Sequence, residues 1–394
     1  MKKLTILIAA IALVCFAVPA LAVDWNFYGS ARINTWYVSQ DFGDGLNAAK
    51  TDDKDAGVRW GQNGQTNSRL GARVKAENVS GRLEIQLKGN ASGDPGGDIT
   101  TESRLIYGVW DFGAGKMKVG KDYTPTAQFI SGQVFDEDLG LLGIGTMYGN
   151  RVAGLTFSFG GFDIALLDPV QKDISMVSLC TVIPPVTVSD LVQTPTGGDV
   201  DSYIPKIEAH WGMSYDAWNF NLMGGFQTYE IEDVTSTVDG STNDIDVTSY
   251  TIGGDVGFNF GPGYVKGGAS FSRNAANAAW HLPGVRNNAL GSSAVWDGDD
   301  DTDDADTIMF ALVGGMKMSD MLSFEGGFGW RQDDSDVSGA EKDKAWEAYV
   351  QSVIVMAPGV YIVPEIGYTN FMDNLLDNDE GDQFYLGAKW QIDF

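Results

Sequence analysis

Histidine and cysteine are nearly absent from this chain of 394 residues, with two of each: His210, His281, Cys15 and Cys180. Nucleophilic catalysis needs a base beside its nucleophile, and a zinc site needs several nitrogen or sulfur ligands together. Two distant imidazoles meet neither need, so the expectation is no enzyme, no metal and no cofactor. There is no Cys-x-x-Cys-His, which excludes covalent haem. Basic residues are also scarce, 26 Lys and Arg against 53 Asp and Glu, for a net charge of −27. Nucleic acid is excluded as a partner, because phosphate binding needs clustered cations. No long apolar run follows the N-terminus, which excludes helical membrane spans. A transmembrane β-barrel is not excluded, since its strands show lipid only every second residue.

What is present begins with an export signal. Lys2 and Lys3 precede the apolar stretch 4–18, and Ala20-Leu21-Ala22 fits a small-residue cleavage site. Val14 before Cys15 does not suit lipoprotein processing. Residues 1–22 are expected to be removed, leaving 23–394 as one domain with Cys180 alone and no internal disulfide.

From Asp24 onward apolar and polar residues alternate. In the segment 82–88, Leu83, Ile85 and Leu87 share one face while Arg82, Glu84, Gln86 and Lys88 share the other, as in a half-buried strand. Leu70, Ala72, Val74 and Ala76 repeat the pattern just before a tight Asn78-Val-Ser-Gly81 connector, a hairpin signal. The same reading predicts sixteen strands: 25–39, 66–77, 82–89, 102–111, 115–121, 151–159, 161–168, 205–215, 218–229, 247–260, 264–273, 307–318, 322–332, 345–355, 360–370 and 383–394.

The connectors alternate strictly between short and long. Links such as 78–81, 112–114 and 319–321 are tight, whereas 40–65, 122–150, 169–204, 230–246 and 274–306 are long and mostly polar. Sorting loops by length onto two ends is the habit of outer-membrane barrels and has no purpose in a soluble sandwich. Stripes such as Trp218/Phe220/Leu222/Phe226 and Tyr250/Ile252/Val256/Phe258/Phe260 suit lipid, and the opposite faces suit a wet lumen. Aromatics near strand ends (Trp25, Phe27, Tyr37, Tyr264, Trp330, Tyr368) suit interfacial girdles. The expected fold is all-β: a closed antiparallel transmembrane barrel of sixteen strands, the one β solution that leaves no edge unpaired in hydrocarbon.

Two stretches carry a resemblance. In the last strand Phe384, Leu386, Ala388, Trp390, Ile392 and Phe394 form an apolar stripe ending in a terminal aromatic. It looks like the C-terminal signature that barrel-assembly machinery reads, with Trp390, Ile392 and Phe394 as its core. The stretch Ile106-Tyr-Gly-Val-Trp-Asp-Phe-Gly-Ala-Gly-Lys-Met-Lys-Val-Gly-Lys-Asp-Tyr-Thr-Pro125, with Asn150-Arg151 and Phe159-Gly-Gly-Phe162, resembles the general diffusion porins of Gram-negative outer membranes. The resemblance implies a homotrimer with periplasmic termini, set in outer-membrane lipid and lipopolysaccharide. It also implies passage of ions and small hydrophilic solutes, and a third loop, here 122–150, folded into the pore. The family's Pro-Glu-Phe-Gly-Gly type segment is matched only loosely by Phe135-Asp-Glu-Asp-Leu-Gly140.

Strand parity points Arg32, Arg69, Arg73, Arg82 and Arg104 inward from the first four strands, together with Lys75, Lys88, Lys116 and Lys118. Asp136, Glu137 and Asp138 of the third loop are expected to oppose this wall and set a charged constriction. The plainer alternative is that the arginines pair with Glu77, Glu84 or Glu102. The acidic run at Asp297, Asp299, Asp300, Asp301, Asp303, Asp304 and Asp306 lacks the glycine and closing glutamate of an EF-hand, and reads as a solvated loop or loose divalent site. Acidic loops favour cations and the basic wall opposes them, and the expectation is a modest cation preference.

Two rival functions stand beside the diffusion pore. A substrate-specific channel needs an aromatic track, and Tyr28, Trp36, Trp110 and Tyr385 point inward by parity without forming a ladder. A structural or adhesive barrel with a closed lumen is the other. The loop 169–204 is unusually apolar around Val177, Leu179, Val182, Ile183 and Val186, which suits packing over the mouth or against a neighbouring subunit.

Overall fold

The computed structural model describes residues 23–41, 55–60, 67–88, 100–169, 199–235, 240–281, 289–296, 301–375 and 377–394. The leader 1–22, the apolar segment 170–198 and Asp297, Asp299 and Asp300 lie outside the described residues.

Sixteen barrel strands run in chain order: β1 (Asp24–Asp41), β2 in two pieces (Asp55–Trp60 and Arg69–Lys75), β3 (Val79–Lys88), β4 (Thr100–Asp111) and β5 (Lys116–Tyr123). They continue with β6 (Arg151–Phe159), β7 (Phe162–Leu167), β8 in two pieces (Asp199–Asp201 and Lys206–Ser214), β9 (Trp218–Thr235), β10 (Thr242–Phe260) and β11 (Gly263–Arg273). The last are β12 (Ala305–Lys317), β13 (Leu322–Ser335), β14 (Asp343–Ala357), β15 (Val360–Asn370) and β16 (Asp382–Asp393). Every neighbouring pair is antiparallel, and β16 closes onto β1 from Ser30 opposite Asp393 to Asp41 opposite Asp382. The terminal residue completes the seam: Phe394 N–H donates to Gly29 O (3.0 Å) and Gly29 N–H to Phe394 O (2.7 Å). Among the described residues no helix is long and apolar enough to cross a membrane. Closure satisfies the backbone without water, as hydrocarbon requires.

The outer face shows where lipid begins and ends. On β10 the outward residues are Thr242, Asp244, Asp246 and Thr248, then abruptly Tyr250 and Ile252, and on to Val256, Phe258 and Phe260, each of these five at least 38% exposed. The ten residue-to-residue rises from Tyr250 to Phe260, at about 3.3 Å each and tilted by roughly 40°, give an apolar band about 25 Å tall. Rings follow both rims. Near the long-loop end Phe310, Trp330, Trp346 and Tyr368 are linked by the contacts Phe310–Trp330 (5.3 Å) and Trp346–Tyr368 (5.4 Å), and by Trp330 standing opposite Trp346. Near the short-turn end lie Trp110–Phe112 (5.5 Å) and Tyr215–Trp218 (4.4 Å).

The structure departs from simple alternation in three places. First, β9 and β10 run well past the predicted ends at 229 and 247. Above the lipid band the pattern inverts, apolar inside and acidic outside: Tyr229, Ile231, Val234, Ile245 and Val247 are buried with Val295 and Trp296 in a water-type core. Second, Trp110 points out, not in. A β-bulge opposite Glu84 and Ile85 turns both Arg104 and Leu105 toward the lumen and shifts the phase of β4, so Trp110 joins Ile106 outside, at 47% and 54% exposure. Third, Tyr264 is not a girdle residue; its neighbour Val265 is exposed and its hydroxyl donates inward to Glu325.

Candidate functional site

The third loop, between Tyr123 and Arg151, lies inside the barrel, and particular wall residues hold it there. Carboxylates on three adjacent strands accept from its chain. Glu325 Oε1 takes Gly132 N–H (2.7 Å), the Gln133 side-chain amide donates to Glu347, and the two oxygens of Glu365 take Val134 N–H (2.7 Å) and Phe135 N–H (3.1 Å). Gln351 Nε2 donates to Gly132 O (2.8 Å) and Ser131 Oγ bonds Tyr349 Oη (2.7 Å). Apolar contacts finish the seat. Phe135 stacks on Tyr385 with centroids 3.6 Å apart and meets Trp36 edge-on at 5.2 Å, within a core that also takes in Val38, Ala311, Val313 and Val363. These inward apolar positions are where a lumen-facing strand departs from polarity in order to carry a loop.

At its tip the chain turns through Asp136, Glu137 and Asp138 with φ of 44°, 71° and 67°. Three successive left-handed non-glycine residues cost on the order of 1–2 kcal/mol each. The turn delivers Asp138 to two cations: Arg32 Nη1 at 2.5 Å and Lys389 Nζ at 2.7 Å. The Asn67 side chain donates to Glu137 O and to Asp138 Oδ2 (3.1 Å).

The remaining arginines gather on a different carboxylate. Glu84, with its side chain fully buried, accepts from Tyr28 Oη (2.7 Å) and Arg82 Nη2 (2.7 Å), and forms ion pairs with Arg104 Nε at 2.7 Å and Arg69 Nη1 at 3.6 Å. Arg73 rests over the Tyr28 ring at 5.0 Å. Lys118 pairs with Asp122 at 2.6 Å. The sequence-predicted groups thus fall into two clusters, Arg32 with Asp138, and Arg69, Arg73, Arg82 and Arg104 about Glu84. Asp136 and Glu137 share the turn of Asp138. Trp390, Ile392 and Phe394 face outward at 43%, 53% and 70% exposure.

Sequence reasoning missed two parts of the site. Lys389 was detectable in principle: the stripe Phe384 to Phe394 leaves 389 on the inner face, and closure sets it opposite Asn34, one inward position from Arg32. The sixth loop is the other. Residues 274–281 fold inward as a second loop, with Ala275, Ala276, Ala278 and Trp280 fully buried. Trp280 Nε1 donates to Glu208 Oε1 (2.9 Å), whose other oxygen accepts from Thr126 N–H (3.1 Å) and Oγ1 (2.8 Å). Lys206 completes the knot, 2.9 Å from Glu208 and donating to Ala278 O (2.7 Å). Tyr148 N–H donates to Trp280 O (2.9 Å), so the third and sixth loops hold each other. The acidic run beyond is tied in as well: Asp306 and Asp304 pair with Arg273 at 2.8 and 3.2 Å.

The two histidines stand apart. His210 on β8 bonds Asn221 (3.1 Å) and lies 3.5 Å from Asp163. His281 is buried in the sixth loop, where burial and then the Arg331 charge hold its imidazole well below the ordinary value of 6.5. A base whose folded pKa is depressed contributes stability above the unfolded value and loses it as pH falls through the window below. Hydrogen exchange of the 274–281 backbone, corrected for intrinsic rates, should therefore show constant protection above about pH 6.5 and declining protection below it. His281→Gln should flatten that decline.

Comparison with known proteins agrees with this geometry. Residues 9–173 match the family model described as Gram-negative porin. The comparison with curated proteins finds no match. Among solved structures, the outer membrane channel DcaP of Acinetobacter baumannii aligns with TM-score 0.67 at 16% identity, over 94% of this chain and 97% of that one. Salmonella typhi OmpF aligns at 0.56 and 13%, over 93% and 97%, and the anion-selective porin from Comamonas acidovorans at 0.54 and 14%, over 94% and 100%. The chain is a closed sixteen-stranded antiparallel β-barrel similar in fold to these proteins, and the barrel with its family-model match supports a channel-type function and an integral outer-membrane location. Both argue against catalysis.

Proposed function

We propose that the chain is exported, loses residues 1–22, and serves in the outer membrane as a water-filled pore for passive diffusion of ions and small hydrophilic solutes. The observation that carries this reading is the third loop, clamped to the β13–β16 wall with its acidic tip on Arg32 and Lys389. That placement leaves Arg69, Arg73, Arg82 and Arg104 on the wall from β2 to β4 as the other side of the narrowing. Charge on both sides orders water across the pore and favours small polar solutes over apolar ones. The exposed stripe Trp390, Ile392 and Phe394 is the feature that assembly machinery would read, and the aromatic rims suit contact with lipid and lipopolysaccharide. The porin resemblance supports assembly as a homotrimer.

Liposome swelling with neutral sugars of graded size tests the function. A diffusion pore admits pentoses fastest and larger sugars progressively more slowly, whatever their stereochemistry. Uptake of one sugar irrespective of size would favour the substrate-specific channel, and no swelling would favour a closed structural barrel.

A further inference from the structure

We propose that His210 and Asp163 form a two-ligand station for a divalent transition-metal ion of the zinc, nickel or copper kind, on the lumen wall near the short-turn end. The inference rests on the channel reading and names one class of solute that this wall engages. The sequence-based expectation of no metal concerned resident centres with three or four protein ligands, and among the described residues no such group gathers. Two ligands completed by water suit a transit site, since an ion that must leave again has to be held weakly.

Strand register brings the pair together. Asp163 on β7 stands directly opposite His210 on β8. Their chain neighbours Phe162 and Trp211 are exposed on the lipid side, so alternation turns both inward. Side-chain exposures of 37% for Asp163 and 26% for His210 leave them open to lumen water. The next two strands orient the ring. Asn221 on β9 donates through Nδ2 to Asp255 Oδ1 on β10 (2.7 Å), which leaves its amide oxygen to accept from His210 Nε2 (3.1 Å). In the neutral imidazole the single ring hydrogen is thus on Nε2, and the Nδ1 lone pair faces a carboxylate oxygen.

Two electron-pair donors that face each other are bridged by a cation. His210 Nδ1 and Asp163 Oδ2 are 3.5 Å apart, longer than a good hydrogen bond. Two ligands bound at about 2.0–2.1 Å to one tetrahedral ion stand roughly 3.3–3.4 Å from each other, close to that spacing. The surrounding contacts are also of the kind that metal sites use: Nε2–H on an amide oxygen, itself fixed by a carboxylate, sets the tautomer and tilt of the ring. Glycine at 212 makes room for them; a Cβ there would lie 2.9 Å from His210 Cε1 and 2.7 Å from Asn221 Oδ1. Lys118 on β5 is paired with Asp122 at 2.6 Å, and among the described residues Asp163 has no lysine or arginine partner. One imidazole nitrogen with one carboxylate oxygen is a mixed donor set that favours zinc, nickel or copper over magnesium and calcium, which take oxygen shells.

The probes are Zn²⁺, Cu²⁺ and, as a hard-ion control, Mg²⁺, at about pH 7.5, above the ordinary imidazole value. The protein is the folded barrel carrying no affinity tag. In a planar bilayer, Zn²⁺ on the short-turn side should block the open steps at concentrations where Mg²⁺ does not. Asn221→Leu, which only frees the ring, should weaken the apparent zinc affinity about tenfold, and His210→Gln, which removes a ligand, about a hundredfold. Asp320→Asn, a rim carboxylate paired with Lys317, should match wild type. Cu²⁺ on the detergent-solubilised barrel gives a readout independent of conduction. Its electron paramagnetic resonance spectrum should carry coupling to one imidazole nitrogen, lost in His210→Gln, because the other imidazole, His281, is buried. A conducting channel without that coupling, or with zinc block unchanged in His210→Gln, overturns the site and leaves the pore intact. A silent barrel that binds Cu²⁺ through His210 keeps the site and removes the pore. Silence without nitrogen coupling removes both.

Discussion

Glu365→Ala should free the third loop from the wall and enlarge the pore. The substitution leaves Val134 N–H and Phe135 N–H without the acceptor each uses inside the barrel, at 2.7 and 3.1 Å. A buried donor deprived of its partner costs about 1–3 kcal/mol, so two cost about 2–6 kcal/mol. The neighbouring anchors, Glu325 on Gly132 and Glu347 on Gln133, then hold a segment whose next two amides are unpaired. Hydrogen exchange over 131–138 should speed up accordingly, and open-channel conductance should rise with increased noise. Glu365→Gln, which keeps one accepting oxygen, should lie between. Loop protection and conductance both unchanged in Glu365→Ala would show that Phe135 on Tyr385 holds the loop without the carboxylate.

Glu84→Ala should have the other large effect, on stability and on charge selection together. It removes the carboxylate that Arg82 and Arg104 approach at 2.7 Å and Arg69 at 3.6 Å, and strands the Tyr28 hydroxyl. Breaking a buried ionic cluster by deleting one side costs about 3–5 kcal/mol, because the remaining charges stay where water reaches them poorly. The folded, heat-modifiable form should melt at lower temperature in detergent gels. In salt gradients the reversal potential should move toward anions, since the wall gains a net positive charge. Glu84→Gln should show most of the shift in selectivity and less of the loss in stability, because the amide still accepts hydrogen bonds. An unchanged reversal potential in a folded Glu84→Gln channel would place the permeation path away from this wall.

The barrel was readable from the chain because lipid imposes a period of two and leaves nothing else to satisfy the backbone. The predicted spans 161–168 and 360–370 meet the observed Phe162–Leu167 and Val360–Asn370 within a residue or two. Reading failed where a second physical demand overrode the first. Trp110 was misassigned because one extra residue at Arg104 and Leu105 inverts parity downstream, and no hydrophobic pattern announces a bulge. The β9–β10 extension was missed because above the lipid the same alternation continues with its faces exchanged, so Tyr229 and Ile245 look like ends of a membrane strand. The inward apolar positions Trp36, Val313 and Val363 interrupt a polar lumen because they form the seat of the third loop. Loop geometry was the least accessible. The Asp138 contact with Lys389 joins positions 251 residues apart and exists only because the last strand closes on the first. Nothing in the segment 274–281, with its run of alanines and asparagines, distinguishes a loop that dips into the lumen from one in solvent.

Single-channel recording of the purified wild-type protein beside an Asp138→Ala, Glu365→Ala double variant tests the central claim most directly. A barrel narrowed by its third loop gives stable open steps in the wild type and clearly larger, noisier steps in the variant, because both the clamp and the contact with Arg32 and Lys389 are gone. Silence from correctly folded protein, or steps of the same size in both, would contradict a conducting lumen gated in width by that loop.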